Sequence, residues 1–192
     1  MNWQQMSFAR PMIIAMIMGL AACSTTPPSE YYMLSVNANG VPGDTGPSIG
    51  VGPIQIPEYL NRREIVLNHN DHRLEVQEYQ RWAEPLDEGL SRVLSLNLAT
   101  LLDTQQVQRF PWRRNNLPEF AISVRVIQLS VQDNEAILVA EWTISSPADK
   151  AMLHSRISQI SAPMASANSE QVAAAYSSLL LKLSKEIAAS IQ

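Results

Sequence analysis

The only cysteine in this 192-residue chain, Cys23, stands directly after Leu20-Ala21-Ala22 at the end of a short apolar run, Met12 to Leu20. One cysteine cannot make an internal disulfide, so any fold must be held by packing alone. The run is too short to cross a bilayer as a helix, which takes about 20 apolar residues. It has the length of the hydrophobic region of a secretory signal, and Arg10 supplies the positive charge ahead of it. Small side chains suit the narrow subsites of a signal peptidase. A thiol just after the cut is a nucleophile that can be alkylated with diacylglycerol.

Leu20-Ala21-Ala22-Cys23 resembles a bacterial lipobox. Residues 1–22 are then a lipoprotein signal peptide, cut between Ala22 and Cys23, and Cys23 becomes an N-palmitoyl, S-diacylglycerol cysteine. The alternatives, a non-specific signal peptide or an N-terminal helix with a buried cysteine, do not account for the cysteine's place at the end of the run. Residues 23–29 form the lipidated cysteine and its tether, and residues 30–192 form one domain. Ser24 to Ser29 is polar and contains Pro27-Pro28. At ~3.1 Å per residue it reaches roughly 20 Å. At about 0.8 kcal/mol per buried CH₂, two acyl chains make dissociation from a membrane negligible.

Arg10 is the only charged residue removed with the signal, which leaves 13 basic against 18 acidic side chains in 170 residues. That balance argues against a general nucleic-acid or membrane-surface binder built on bulk positive charge. The length suffices for a substantial single core.

Glu30 to Val36 reads as a strand and Asn37 to Ser48, with three glycines and two prolines, as a flexible loop. Ile49 to Ile56 is a strand in which Pro53 demands an edge or a bulge. Ile65–Asn68 and Leu74–Tyr79 read as a hairpin around Asn70-Asp71. A helix begins at Pro85, placed at its first position. Leu86, Leu90, Val93, Leu94, Asn97, Leu98 and Leu101 form its buried stripe. Val107 to Phe110 is a short strand, and strand, helix and strand in succession suggest a crossover unit.

Phe120, Ile122, Val124 and Val126 alternate, and the phase slips near Ile127-Gln128, which predicts a bulge. Asp133-Asn134 turns into Ala136–Ile144, and Ser146 to Asp149 turns into a strand from Met152 to Ser161. All seven glycines lie at or before Gly89, so the later turns rest on Asn, Asp and Pro. Asn168 and Gln171 can cap a last helix whose buried face is Val172, Tyr176, Leu180, Leu183, Ile187 and Ile191. The expected fold is α/β (α+β), a single domain with a mixed β-sheet and two principal amphipathic helices.

The sequence offers no catalytic signature: no G-x-S-x-G, no phosphate-binding glycine loop and no H-E-x-x-H. The expectation is no enzyme, no cofactor and no metal. His69-Asn70-Asp71-His72 reads as a solvated hairpin tip, and His154 as a lone strand residue. Three segments stand out. Gly52 to Arg62 has two prolines shaping a strand end, then an exposed Tyr59-Leu60 pair and the basic Arg62-Arg63; a shaped loop with no partner is the alternative. Arg81-Trp82-Ala83-Glu84-Pro85-Leu86 reads as a fold-setting block, with Trp82 in the core and Glu84 at the positive helix end. Arg109-Phe110-Pro111-Trp112-Arg113-Arg114 mixes aromatic and Arg side chains, the types enriched at interfaces. Tyr59, Leu60, Arg62, Arg63, Trp112, Arg113 and Arg114 are therefore the candidate partner or lipid interface. Trp112 tucked inward under a solvated loop is the alternative.

In order along the chain come the lipobox, Tyr31-Tyr32-Met33-Leu34, the V-G-P-I-Q-I-P-E-Y-L-N-R stretch from Val51 to Arg62, the R-W-A-E-P-L block and Phe110-Pro111-Trp112. The series resembles the ABC-type transport auxiliary lipoproteins, in particular their PqiC-like branch. Asn61 and Arg63 stand where that pattern has Asp and Pro. The resemblance implies a non-enzymatic outer-membrane subunit of an intermembrane lipid transport system. Its implied partners are an MCE-domain protein that bridges the periplasm and an inner-membrane protein, and it implies a ring-like homo-oligomer. Ser24 lacks the Asp that favours inner-membrane retention, so outer-membrane sorting, facing the periplasm, is expected. A structural lipoprotein that assists a β-barrel or envelope assembly factor is the alternative of a different class. A periplasmic hydrolase with scattered catalytic residues is the third.

Overall fold

Alternation of small and large apolar residues with polar ones organises the second half of the chain. The computed structural model describes residues 27–70, 72–113, 115–132 and 134–191. The expected signal peptide, Cys23, Asp71 and Arg114 lie outside these. Strands β6 (Phe120–Gln132), β7 (Glu135–Ser146) and β8 (Ala151–Pro163) form an antiparallel meander. Along β7 every second residue, from Ala136 to Ile144, is buried and its neighbours are half-exposed. This is the pattern of a sheet covered on one face only. The predicted slip in β6 is a register shift between Val126 and Gln128. Asn134 takes a positive φ of 61° in the turn between β6 and β7, a conformation Asn tolerates better than most residues.

Ahead of the meander, β2 (Ile49–Gln55) and β5 (Val107–Arg109) complete a five-stranded sheet in the order β5-β2-β6-β7-β8, with β2 parallel to both neighbours. The expected irregularity at Pro53 is a register shift between Val51 and Ile54. β5 pairs only with Ile49 to Val51, so β2 becomes an edge from the proline onward. A proline has no N–H to donate and is tolerated there.

A second, separately hydrogen-bonded sheet, in the order β1 (Glu30–Tyr32), β4 (Arg73–Trp82), β3 (Glu64–Asn70), has β3 beside β6, so one mixed sheet becomes two. β3 and β4 are the predicted hairpin. β1 runs parallel to β4 and is shorter than the predicted Glu30–Val36 strand. The reason is the end of its partner: β4 stops at Trp82, opposite Tyr32. Beyond it, the Ser35 N–H donates to Ser177 Oγ at 2.9 Å instead of to a strand.

Helix α1 (Leu86–Leu101) buries Leu86, Leu90, Val93, Leu94 and Leu98 against β2, while Leu101 is half-buried. Pro85 is its N-cap rather than its first helical residue. The crossover also differs from expectation. The strand before α1, β4, lies in the small sheet, and the strand after it, β5, joins β2 in the large one. Helix α2 (Ser169–Ala189) packs on β7, β8 and α1, with Val172, Tyr176, Leu179, Leu180, Leu183 and Ile187 buried. Each such side chain contributes about 1.5–3 kcal/mol. Asn168 Oδ1 accepts from the Gln171 N–H at 2.9 Å, the predicted cap. Trp142 Nε1–H donates to Ser158 Oγ at 2.9 Å, and Ser158 donates to Glu186 Oε2 at 2.5 Å, which ties β7 and β8 to α2 through polar contacts.

The loop from Asn37 to Ser48, expected to be flexible, is stitched to α1. Asn97, counted among the apolar stripe, is fully buried, and its Oδ1 accepts from the Asn37 and Ala38 N–H groups at 3.3 and 3.1 Å. Asp103, just past the helix, accepts from the Gly43 N–H at 2.7 Å and the Thr45 hydroxyl at 2.6 Å. These bonds, the Thr45 hydroxyl first, hold the Asp103 carboxyl below its ordinary value. A lowered carboxylate pKa stabilises the loop above the unfolded value, and that contribution is lost as pH falls through the folded value. Protection of the Gly43 and Thr45 amides from exchange, taken relative to the intrinsic rate at each pH, is therefore expected to fall below the ordinary carboxylate range. An Asp103→Asn variant should show the lower protection already at neutral pH.

Candidate functional site

Two glycines in β2 let a distant loop close onto the strand. At Gly50 a Cβ would stand 2.6 Å from Pro118 Cγ and 2.9 Å from the Trp112 ring. At Gly52, whose φ is +123°, it would stand 2.6 Å from Phe110 Cβ. Gly52 thus meets both requirements only glycine satisfies, a left-handed φ and a close neighbour. The Phe110 N–H donates to Val51 O at 3.0 Å. The Gly52-Pro53 and Phe110-Pro111 peptide bonds are both cis. Two of the segments singled out in the sequence, 58 positions apart, therefore form one surface feature.

On that feature Phe110 and Trp112 meet edge to face, with ring centroids 5.2 Å apart at 84°. Phe110 is 51% exposed, and Trp112 is half-buried against Gly50. The inward-tucked reading of Trp112 thus holds in part, and the ring that faces solvent is Phe110. Arg113 is exposed in the turn closed by Asn116 N–H to Arg113 O at 3.0 Å. A Gly50→Ala substitution should push Trp112 and Pro118 off β2 and cost about 1–3 kcal/mol by overpacking. Trp112 emission should shift to the red; unchanged emission and stability would show that the loop does not need this approach.

Between this loop and the first turns of α1 lies an open cleft of about 420 Å³, lined by Val51 to Ile54, Asp87, Glu88, Ser91, Arg109 and Phe110. Glu88 and Arg109 form an ion pair across it. Both are about half exposed, so the pair orients side chains more than it stabilises the fold. Sequence reasoning took in Arg109 and Phe110 as part of a segment but missed Glu88. Its position on the polar face of α1 carried no local signal, because its partner is 21 residues away.

The other candidate segment divides. Leu60, taken as exposed, is 4% exposed and belongs to the core. It sits in a one-turn 3₁₀ helix, Glu58–Leu60, which turns the chain from the large sheet into the small one. Tyr59 is half-buried and packs against the core. Burial pushes the Tyr59 hydroxyl above its ordinary pKa, and more strongly that of Tyr176, which is enclosed and has no hydrogen-bond partner among the described residues. Tyr59 and Leu60 thus shape the fold, which corrects the exposed Tyr-Leu expectation. Arg62 and Arg63 are exposed as expected, and the backbone of Arg63 accepts from the Trp82 N–H at 2.7 Å. Arg63 lines a shallow pocket of about 200 Å³ with Tyr31, Trp82, Ala83, Glu84 and Pro85. That pocket shares no residue with the Phe110 cleft.

Trp82 is buried and stacks on Tyr176, with ring centroids 6.2 Å apart, so its block sets the fold as expected. Glu84 is engaged by Arg92, whose Nη2 also donates to Leu34 O at 2.8 Å. His154 is exposed on β8. The His69 side chain and Asp71 lie outside the description, so the hairpin-tip reading stays an expectation. Among the described residues no three His, Cys, Asp or Glu side chains gather as metal ligands, and no helix is long and apolar enough to cross a membrane.

The family profile of the ABC-type transport auxiliary lipoprotein component matches residues 32–188, from β1 to the end of α2. The chain belongs to that family. Among solved structures it is similar to an uncharacterized protein at 18% identity, over 86% of this chain and 100% of that one, with a TM-score of 0.72. A Xanthomonas campestris protein matches at 15% identity, over 84% and 93%, with a TM-score of 0.66. A hypothetical protein of Chlamydia trachomatis matches at 9% identity, over 77% and 98%, with a TM-score of 0.51. At such identities these likenesses show a shared fold. No curated protein matches this chain. Membership makes the chain an auxiliary component associated with a larger transport assembly, in a family of lipoproteins.

Proposed function

We propose that this auxiliary lipoprotein is a non-enzymatic docking subunit of an MCE-type intermembrane lipid transport complex. In this reading Cys23 carries the acyl chains, and Ser24 leaves the protein free to reach the outer membrane. The domain then hangs on the periplasmic side, where the end of an MCE-domain bridge arrives from its inner-membrane partner. The observation that carries the reading is the Phe110–Trp112 loop seated on Gly50 and Gly52, within a domain matched end to end by an auxiliary-transport family. It presents a half-exposed aromatic beside Arg113 and an open cleft, the residue types that anchor protein interfaces. A homo-oligomer is part of the proposal. β8 ends the large sheet and exposes Met152, Leu153 and Ile157, and an exposed edge of this kind invites pairing with another chain.

Pull-down of the full, lipidated protein after gentle solubilisation tests the docking role. An MCE-domain protein is expected among the captured chains, and its capture should be lost in Arg113→Glu combined with Phe110→Ser. Capture of a β-barrel assembly factor with no MCE protein would replace this reading by that of a structural lipoprotein.

A further inference from the structure

We infer that the domain lies against the lipid surface through one defined face, formed by Tyr31, Met33, Arg62 and Arg63. The inference rests on the Cys23 anchor and adds to it an orientation. Seven steps separate Cys23 from Glu30, the first residue of β1. At ~3.1–3.6 Å per residue they span no more than about 25 Å. Whatever surface flanks the start of β1 is therefore held near the headgroups. Chain outside the described residues thus brings a membrane to this face.

The side chains at that place suit an interfacial layer. Tyr31 is 63% and Met33 56% exposed, although Leu34 next to them is buried. A tyrosine has an apolar body and a polar tip, the combination favoured at headgroup depth. Tyr31 shares its pocket with Arg63, which follows the exposed Arg62. Three nearby carboxylates have partners of their own, and Glu58, exposed in the 3₁₀ turn, pairs with neither arginine among the described residues. Glu84 is bound by Arg92 at 2.5 Å, Glu64 stands 3.9 Å from Arg81, and Glu30 accepts from the Tyr32 hydroxyl at 2.7 Å. Among the described residues neither Arg62 nor Arg63 has an ion-pair partner, which leaves two guanidinium groups to meet phosphate. The candidate interface residues are thereby divided. Arg62 and Arg63 face lipid, while Phe110, Trp112 and Arg113 stay available to a protein.

The test uses the full lipidated chain in vesicles of phosphatidylethanolamine and phosphatidylglycerol. Cys23 is consumed by acylation, so an introduced cysteine is the only free thiol and takes a nitroxide label alone. Met33→Cys reports the proposed face. Val41→Cys, 92% exposed in the loop stitched to Asp103 at the far end of α1, is the reference. The 16 residues of α1 place these ends about 24 Å apart. The label at position 33 is expected to lose accessibility to a water-soluble relaxation agent and gain it to oxygen when the chain joins vesicles, while position 41 stays aqueous. Arg63→Glu should reverse much of that change in anionic vesicles. Co-flotation with position 33 as aqueous as position 41 would overturn the facing surface and leave the anchor intact. Failure to co-float at all would overturn the anchor, and the orientation with it.

Discussion

Cys23→Ala is expected to abolish palmitate incorporation and remove the protein from the outer-membrane fraction. In the proposed reading the thiol accepts the diacylglycerol, and no other side chain can replace it, because the sequence holds no second cysteine. Without alkylation the signal segment has no lipobox to be cut at, so the chain should accumulate at its uncut mass. The size of the effect follows from the anchor. At about 0.8 kcal/mol per buried CH₂ a single acyl chain holds a protein only marginally, whereas two or more hold it for practical purposes permanently. No described helix can serve as a spanning substitute. Metabolic labelling with palmitate, intact-mass measurement and membrane fractionation read the three consequences separately. An unlabelled chain of mature mass that still fractionates with the outer membrane would end the lipid-anchor account.

What the sequence disclosed was what depends on neighbours along the chain. The β6 bulge at Ile127-Gln128, the Asn134 turn, the Asn168 cap and the stripes of α1 and α2 are local patterns, and each was legible. What stayed hidden depends on partners far along the chain. The separation of β1-β4-β3 from the large sheet is decided by which strands find each other, and strands carry no label for that. β1 ends where β4 ends, a fact about a partner 50 residues away.

The candidate site shows the same division. Composition marked Phe110 to Arg113 as an aromatic and basic segment, and Gly52-Pro53 as a shaped strand end. That they are one feature follows only from Gly50 and Gly52 leaving room for Trp112 and Phe110. A Tyr-Leu pair before two arginines looks like the start of a surface loop, so the sequence alone points Leu60 outward. The 3₁₀ turn instead rotates Leu60 into the core and leaves Arg62 and Arg63 outside. Asn97 was read as a member of an apolar stripe, but its buried amide oxygen holds the loop that begins at Asn37.

Trp82→Ala should cost about 3–5 kcal/mol, a large share of the 5–15 kcal/mol that holds a typical domain. Trp82 closes β4, receives the end of β1 across the ladder and stacks on Tyr176 of α2. It therefore joins the small sheet to the helix layer, and losing it loosens two contacts at once. One effect works in the other direction. The Tyr176 hydroxyl is buried without a partner among the described residues, and the space left by an indole is large enough to admit water to it. Hydration of that hydroxyl would offset part of the loss, so Trp82→Ala should fall nearer the lower end of the range. Trp82→Phe, which keeps a ring and excludes water, should cost less than Trp82→Ala. Urea titration of the full chain gives both values from the shift in midpoint. The same pair separates fold from docking. Trp82 is 6% exposed, so any loss of partner capture in Trp82→Ala should track the unfolded fraction and recover under conditions that restore folding. If capture vanished while the urea midpoint stayed at the native value, the R-W-A-E-P-L block would be a contact surface, and Trp82 would have to turn outward to serve it.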